Sequence, residues 1–288
     1  MRGRHIVLRL LPVLIPFTLL FLGGAAFALL QSLGIMIPVP AEDAPGEAYR
    51  RLLASRWFYA SFGFSLYVAF LSAGLATVCG TLLAYRIWRL PLGTQRLAIV
   101  YKLPLVLPHI AVAFIVLILF SRTGLVSAVL RQLGVIGGQE DFPSILYGGS
   151  GLGLVIAYVY KEVPFVVLLV SAVLKKLDVR HLHTARMLGA SRVATFFRVV
   201  VPFLLPVVNT TFIILFLYSF GAFDIPSILS ESRPQMLSIT VFNLYFKRDI
   251  ANRPDAMAIL VLMFLFSSLF IYLYSRLVAR LEVAGRKI

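Results

Sequence analysis

The sequence predicts an all-α membrane protein of six transmembrane helices, with a basic loop set between the fourth and the fifth. Three observations predict it. The 288 residues are 60% hydrophobic and only 14% charged, with a mean hydropathy of +0.93, values outside the range of soluble domains. Six apolar runs each reach the roughly 20 residues that a helix needs to cross a hydrocarbon layer about 30 Å thick. The net charge of +15, which in a soluble protein would suggest nucleic acid, falls on one side of the resulting layout. The single Cys79 lies in an apolar run, which excludes a disulfide framework and a cysteine metal site. One transmembrane domain over residues 1–288 is expected.

Met1 to Arg9 carries Arg2, Arg4 and Arg9 and precedes 32 uncharged residues, Leu10 to Ala41, so a first span is expected at about residues 7–30. Ala26-Phe27-Ala28 imitates a signal-peptidase site, but the apolar run is much longer than a signal h-region and reads as an uncleaved anchor. Gln31 to Arg56, with Pro38, Pro40, Pro45, Glu42, Asp43 and Glu47, reads as an external loop containing a short amphipathic piece. The second span, about 58–85, ends at Arg86-Ile87-Trp88-Arg89, where arginine and indole mark an interface. After the turn from Pro91 to Arg96, a third span is expected at about 97–120, kinked by Pro104 and Pro108 and able to act as a hinge. The loop from Ser121 to Gly151 closes in Gly148-Gly149-Ser150-Gly151; it lacks the G-x-G-x-x-G spacing and no strand pattern precedes it, which excludes a nucleotide loop. The fourth span, about 152–174, contains the adjacent charges Lys161 and Glu162, with Pro164 just beyond. The basic loop covers 175–199 and the fifth span about 200–222. A long external segment, Phe223 to Asp255, leads to a sixth span at about 256–275, and Arg276, Arg280, Arg286 and Lys287 close the chain.

Charge orients this layout. With the N-terminus inside, the inner segments hold 17 basic residues against the two acids Asp178 and Glu282, while the outer segments hold nine of each. Lys161 and Glu162 cancel within the fourth span, so the whole +15 lies on the inner face, as the positive-inside rule requires. Both termini are therefore expected in the cytoplasm, and anionic lipid and a partner protein explain the basic face better than nucleic acid does.

The basic loop is the most informative stretch. Val179 to Leu188 is helix-compatible, Gly189 is a stop because it adopts positive φ without steric cost, and Ser191 is a competent N-cap for a second short helix. Two short helices around the small elbow Gly189-Ala190 form a knob that a partner approaches closely. Leu188, Val193, Phe196 and Phe197 supply apolar anchors and Arg186, Arg192 and Arg198 supply charge, the mixture used in helix-in-groove recognition. Pro202 falls where the next span begins, in a first turn that needs no N–H from it.

The run from His183 to Ser191, continuing through Phe196 to Pro202, resembles a loop of the inner-membrane permease subunits of binding-protein-dependent, ATP-driven (ABC) importers. Those usually carry E-A-A, three residues, G-A, and a Leu-Pro or similar thirteen residues after the Gly. Gly189 and Pro202 keep that spacing and Ala185 and Ala190 keep their letters, whereas His183 and Thr184 stand where Glu and Ala are usual. The layout is similar to the branch that includes polyamine, iron, sulfate and thiamine permeases. The resemblance implies the type I ABC importer permease fold, with a cytoplasmic coupling helix in the loop and a location in the bacterial inner (plasma) membrane. It implies a second permease subunit, identical or related, an external solute-binding protein, and a dimer of ATP-binding cassette ATPase subunits that holds the ATP and magnesium, this chain binding no cofactor. The residues it marks for coupling are His183, Thr184, Ala185, Leu188, Gly189, Ala190, Ser191, Phe196 and Pro202.

No catalytic constellation accompanies these features: the sequence has no P-loop and no H-E-x-x-H, and His181 and His183 are too few for a metal site. An enzyme is not expected. Lys161 and Glu162 fall near the bilayer midplane, where an unpaired charge costs on the order of 3 kcal/mol. They read either as residues of a translocation pathway or as an internal ion pair, with Asn209, Tyr218 and Asp224 as further pathway candidates. His109, after Pro108, reads either as a pathway residue or as one packed between helices. The rival function is a stand-alone secondary transporter or channel, which would need no ATPase.

Overall fold

The structure, a computed structural model, describes residues 2–35, 44–91, 93 and 98–285. The expectations placed on Pro38, Pro40, Glu42, Asp43, Arg96, Arg286 and Lys287 lie outside those residues. In chain order the helices are α1 (Arg2–Ser32), α2 (Glu47–Ala54), α3 (Arg56–Trp88), α4 (Leu103–Val106), α5 (His109–Phe120), α6 (Leu125–Gln132), α7 (Leu152–Leu174), α8 (Val179–Met187), α9 (Arg192–Thr195), α10 (Val201–Gly221), α11 (Asp224–Leu229), α12 (Leu237–Phe242) and α13 (Arg253–Gly285). Six stretches among the described residues are helical, long and apolar enough to cross a membrane: Leu10–Ser32, Arg56–Trp88, His109–Gln132, Leu152–Leu174, Arg192–Gly221 and Ile250–Arg280. The chain divides into two compact units, Met1–Ala60 with Leu237–Ile288, and Ser61–Met236.

In the first unit α1 packs on α13, with the rings of Phe21 and Phe264 edge to face at 6.4 Å. Apolar all round, α1 buries none of its most apolar stretch inside the chain, so that surface faces lipid or another protein. The short amphipathic piece expected in the external loop is α2, which buries Ala48 and Leu52 and pairs Arg51 with Asp255 of α13 at 2.9 Å. The Tyr49 and Ser32 hydroxyls, 2.7 Å apart, tie α2 to the end of α1.

The second unit is built on α7, which buries 61% of its most apolar stretch. It packs against α5 and α10, and α11 lies against α5 and α7. Its close approach to α3 depends on Gly80, where a Cβ would stand 2.5 Å from the Val166 Cβ; small residues let membrane helices meet backbone to backbone. Phe70 of α3 reaches Phe212 and Phe216 of α10 edge to face, at 5.3 and 5.9 Å.

Three elements differ from the sequence expectation. The third span is not one kinked helix: a 3-10 turn, Ala98–Lys102, and α4 end at Leu107 and Pro108, whose ψ angles of 135° and 147° are extended, and α5 then starts afresh. The residue before a proline is driven to extended backbone, and Pro108 offers no N–H to the Pro104 carbonyl, so the helix breaks outright. In what reads as a glycine-rich loop, the chain forms α6 after a turn that only Gly124 can close, since a Cβ there would fall 2.6 to 2.9 Å from the carbonyl oxygens of Ile118, Leu119 and Ser121. The fifth span is helical from Arg192 rather than from about 200, because a π-helical turn, Phe196–Val200, joins α9 to α10 without a gap. That wide turn, in which the Val201 N–H donates to the Phe196 carbonyl, accommodates Pro202 in the first turn of α10.

Candidate functional site

The basic loop folds as two capped helices. The Asp178 carboxylate accepts from the Arg180 N–H at 2.9 Å and starts α8. Its end is a Schellman motif: the Gly189 N–H donates to the Arg186 carbonyl at 2.9 Å, the Ala190 N–H to the Ala185 carbonyl at 3.0 Å, and Gly189 takes φ +85°. The Ser191 hydroxyl then accepts from the Ala194 N–H at 3.1 Å and starts α9. Leu182 alone anchors α8 by deep burial, while Leu188 is 84% exposed and Val193 and Phe197 remain largely exposed. His183, Thr184 and Ser191 are exposed, Ala185 and Ala190 half-buried, and Thr184 back-bonds to the Arg180 carbonyl. Phe196 differs from its neighbours. It turns inward, ring to ring with Tyr85 of α3 at 4.7 Å, and so joins the elbow to the second span. Pro202 is exposed on α10.

Inside the unit, Lys161 and Glu162 are buried, at 8% and 3% exposure, and do not pair with each other. Consecutive residues on a helix point about 100° apart, and these two reach different spans. The Lys161 ammonium donates to the carbonyls of Pro104, Leu105 and Leu107 at 2.7, 3.3 and 2.5 Å. Glu162 accepts from the Ser219 hydroxyl of α10 at 2.5 Å, and its other carboxylate oxygen has no hydrogen-bond partner among the described residues. The ring of His109, the first residue of α5, lies 5.2 Å from that of Tyr218, tilted by 41°, and Tyr218 meets Tyr158 of α7 edge to face at 6.4 Å. Three helices thus share one polar seam. Asn209 lies roughly 13 Å further along α10 from Tyr218, at about 1.5 Å per residue, and Asp224 is exposed at the start of α11.

One buried acid escaped the sequence reading. Glu231, 3% exposed, accepts the N–H groups of Gly149 and Gly151, the latter at 3.0 Å. Both glycines have positive φ, +83° and +68°, and Gly151 is the N-cap of α7, so the glycine-rich run forms a nest of amides filled by the chain's own carboxylate at a helix start. The Tyr147 hydroxyl adds a bond to the Ile228 carbonyl at 2.6 Å. The signal in the sequence was the glycine run itself, whose anion is a side chain 80 residues away.

Comparison with known proteins finds similarity along most of the chain. The family model described as "Binding-protein-dependent transport system inner membrane component" matches residues 76–282. The sulfate transport system permease protein CysT of Salmonella typhimurium is 26% identical over 231 residues, 80% of this chain and 78% of that one. The spermidine/putrescine transport system permease protein PotC of Escherichia coli is 27% identical over 222 residues, 77% of this chain and 74% of that one. In three dimensions the chain is similar to a bacterial ABC transporter involved in the import of the acidic polysaccharide alginate, with a TM-score of 0.80 at 19% identity, covering 97% of this chain and 96% of that one. A second structure of the alginate transporter, in complex with an alginate pentasaccharide-bound periplasmic protein, superposes with a TM-score of 0.79 at 19% identity over 98% and 96% of the two chains.

Proposed function

We propose, from the premise that this chain belongs to the binding-protein-dependent transport system inner membrane components, a division of labour among its parts. The chain is a permease of an ABC importer. Its spans form the translocation pathway, and the elbow at Gly189 docks into a groove on a separate ATP-binding cassette subunit. His183, Thr184, Ala185, Leu188, Gly189, Ala190, Ser191 and Pro202 make or shape that contact, and Phe196 carries its motion to α3. The assembly pairs this chain with a second permease subunit and a dimer of ATPase subunits that hold ATP and magnesium; this chain needs no cofactor and performs no chemistry on its cargo. Both termini face the cytoplasm with the elbow, and an external binding protein delivers solute to the opposite side; the complex of the alginate transporter with an alginate pentasaccharide-bound periplasmic protein supports this. Because CysT and PotC, by their names, serve an inorganic anion and polyamine cations, selection of the solute is assigned to the binding protein.

The observation that carries this reading is the elbow. Large apolar side chains, Met187 and Leu188, stand 88% and 84% exposed on an arginine-rich knob capped at both helices, a surface that suits a protein groove better than water. Reconstitution with the ATPase and the binding protein tests it. Wild-type chain is expected to give ATP-dependent uptake, and Gly189→Val to insert in the membrane yet lose at least nine-tenths of uptake, since a β-branched residue at φ +85° is strained and a side chain there blocks close docking. Full uptake by the variant would refute the docking role.

A further inference from the structure

The break in the third span leaves carbonyls without donors. In a continuous helix the Pro104, Leu105 and Leu107 oxygens would accept from residues 108, 109 and 111. Pro108 has no N–H, His109 begins a new helix, and the Ala111 N–H donates to Pro108 instead. Unsatisfied carbonyls do not persist in hydrocarbon. The group that meets all three is the Lys161 side chain, whose ammonium has three N–H donors, one for each oxygen, and which α7 sends into the break. A positive charge at that point also sits at the carbonyl end of α4.

We propose that Lys161 is the latch of this break and a positioning residue for transport. By replacing the hydrogen bonds that the proline removes, it fastens α4, the half-span before the break, to α7, so that α4 moves with α7 as one body. Since α7 runs directly into the basic loop, a push on the elbow then reaches α4 as well as α5, which packs on α7 in its own right. Without the latch, Leu107 and Pro108 become a free joint and α4 stays behind. This rests on the permease reading above.

Two experiments test the latch in the complete transporter. Lys161→Met keeps the length of the side chain and removes the donors; the expected result is normal insertion and ATP turnover with uptake at least tenfold lower, while Lys161→Arg, which keeps donors, recovers at least a third of wild-type uptake. Uptake by the Met variant within twofold of wild type overturns the proposal. The second experiment leaves Lys161 in place. With Cys79→Ser, spin labels at Leu168→Cys on α7 and at Val106→Cys, an exposed position on α4, are expected to hold one separation with and without ATP; a separation that shifts by more than a few ångströms during the cycle overturns it. If instead the wild-type assembly shows no ATP-driven uptake, it is the permease reading that has failed, and the label distances still report on the latch.

Discussion

Glu231 illustrates how one carboxylate settles the start of a long helix. Its two acceptor bonds hold Gly149 and Gly151 in left-handed backbone that only glycine adopts without strain. Glu231→Ala leaves two amides at the α7 N-terminus without an acceptor, and an unsatisfied buried donor costs about 1–3 kcal/mol. Hydrogen exchange at both glycines is therefore expected to accelerate at least tenfold in the purified variant, with a lower Tm; unchanged exchange would show that water serves equally well. At the elbow, His183 stands where related loops usually carry Glu. It is exposed and free to meet a partner, so His183→Ala is expected to weaken association with the ATPase by about 1 kcal/mol, roughly fivefold. A titration of ATPase against the reconstituted variant reads this, and affinity and coupled ATP hydrolysis equal to wild type would remove His183 from the contact.

At the scale of elements, legibility tracked sequence distance. The caps of α8 and α9 and the Gly189 stop close within five residues, so their signals lie side by side in the chain. The apolar runs are likewise local, and six of them were readable as spans. What stayed hidden was decided by partners far away. Lys161 meets carbonyls 54 to 57 residues earlier, and Glu231 meets amides 80 and 82 residues earlier. A lysine beside a glutamate in an apolar run reads as a pair, yet the helix points them apart, each toward a span the local pattern does not identify. The prolines were legible as a disturbance. How the freed carbonyls are satisfied depended on a donor supplied by another helix.

For the whole molecule, the decisive property is sidedness. An inner face that collects the entire net charge of +15 and also carries the elbow must meet the cytoplasm if the positive-inside rule holds. In a Cys79→Ser background, Met187→Cys is expected to react with an impermeant maleimide only in inside-out vesicles, and reaction from the outer surface of intact cells would reverse the topology. The direction in which the elbow faces has a further determinant, the π-helical turn Phe196–Val200. Such a turn holds one residue more than an α-helical turn and still closes on a single bond, from the Val201 N–H to the Phe196 carbonyl, so it absorbs locally a residue that in regular helix would swing everything before it through roughly 100°. The compass bearing of the elbow around the fifth span is thus kept by one widened turn, and one residue added to the regular part of α10 would aim the knob away from the groove proposed for it.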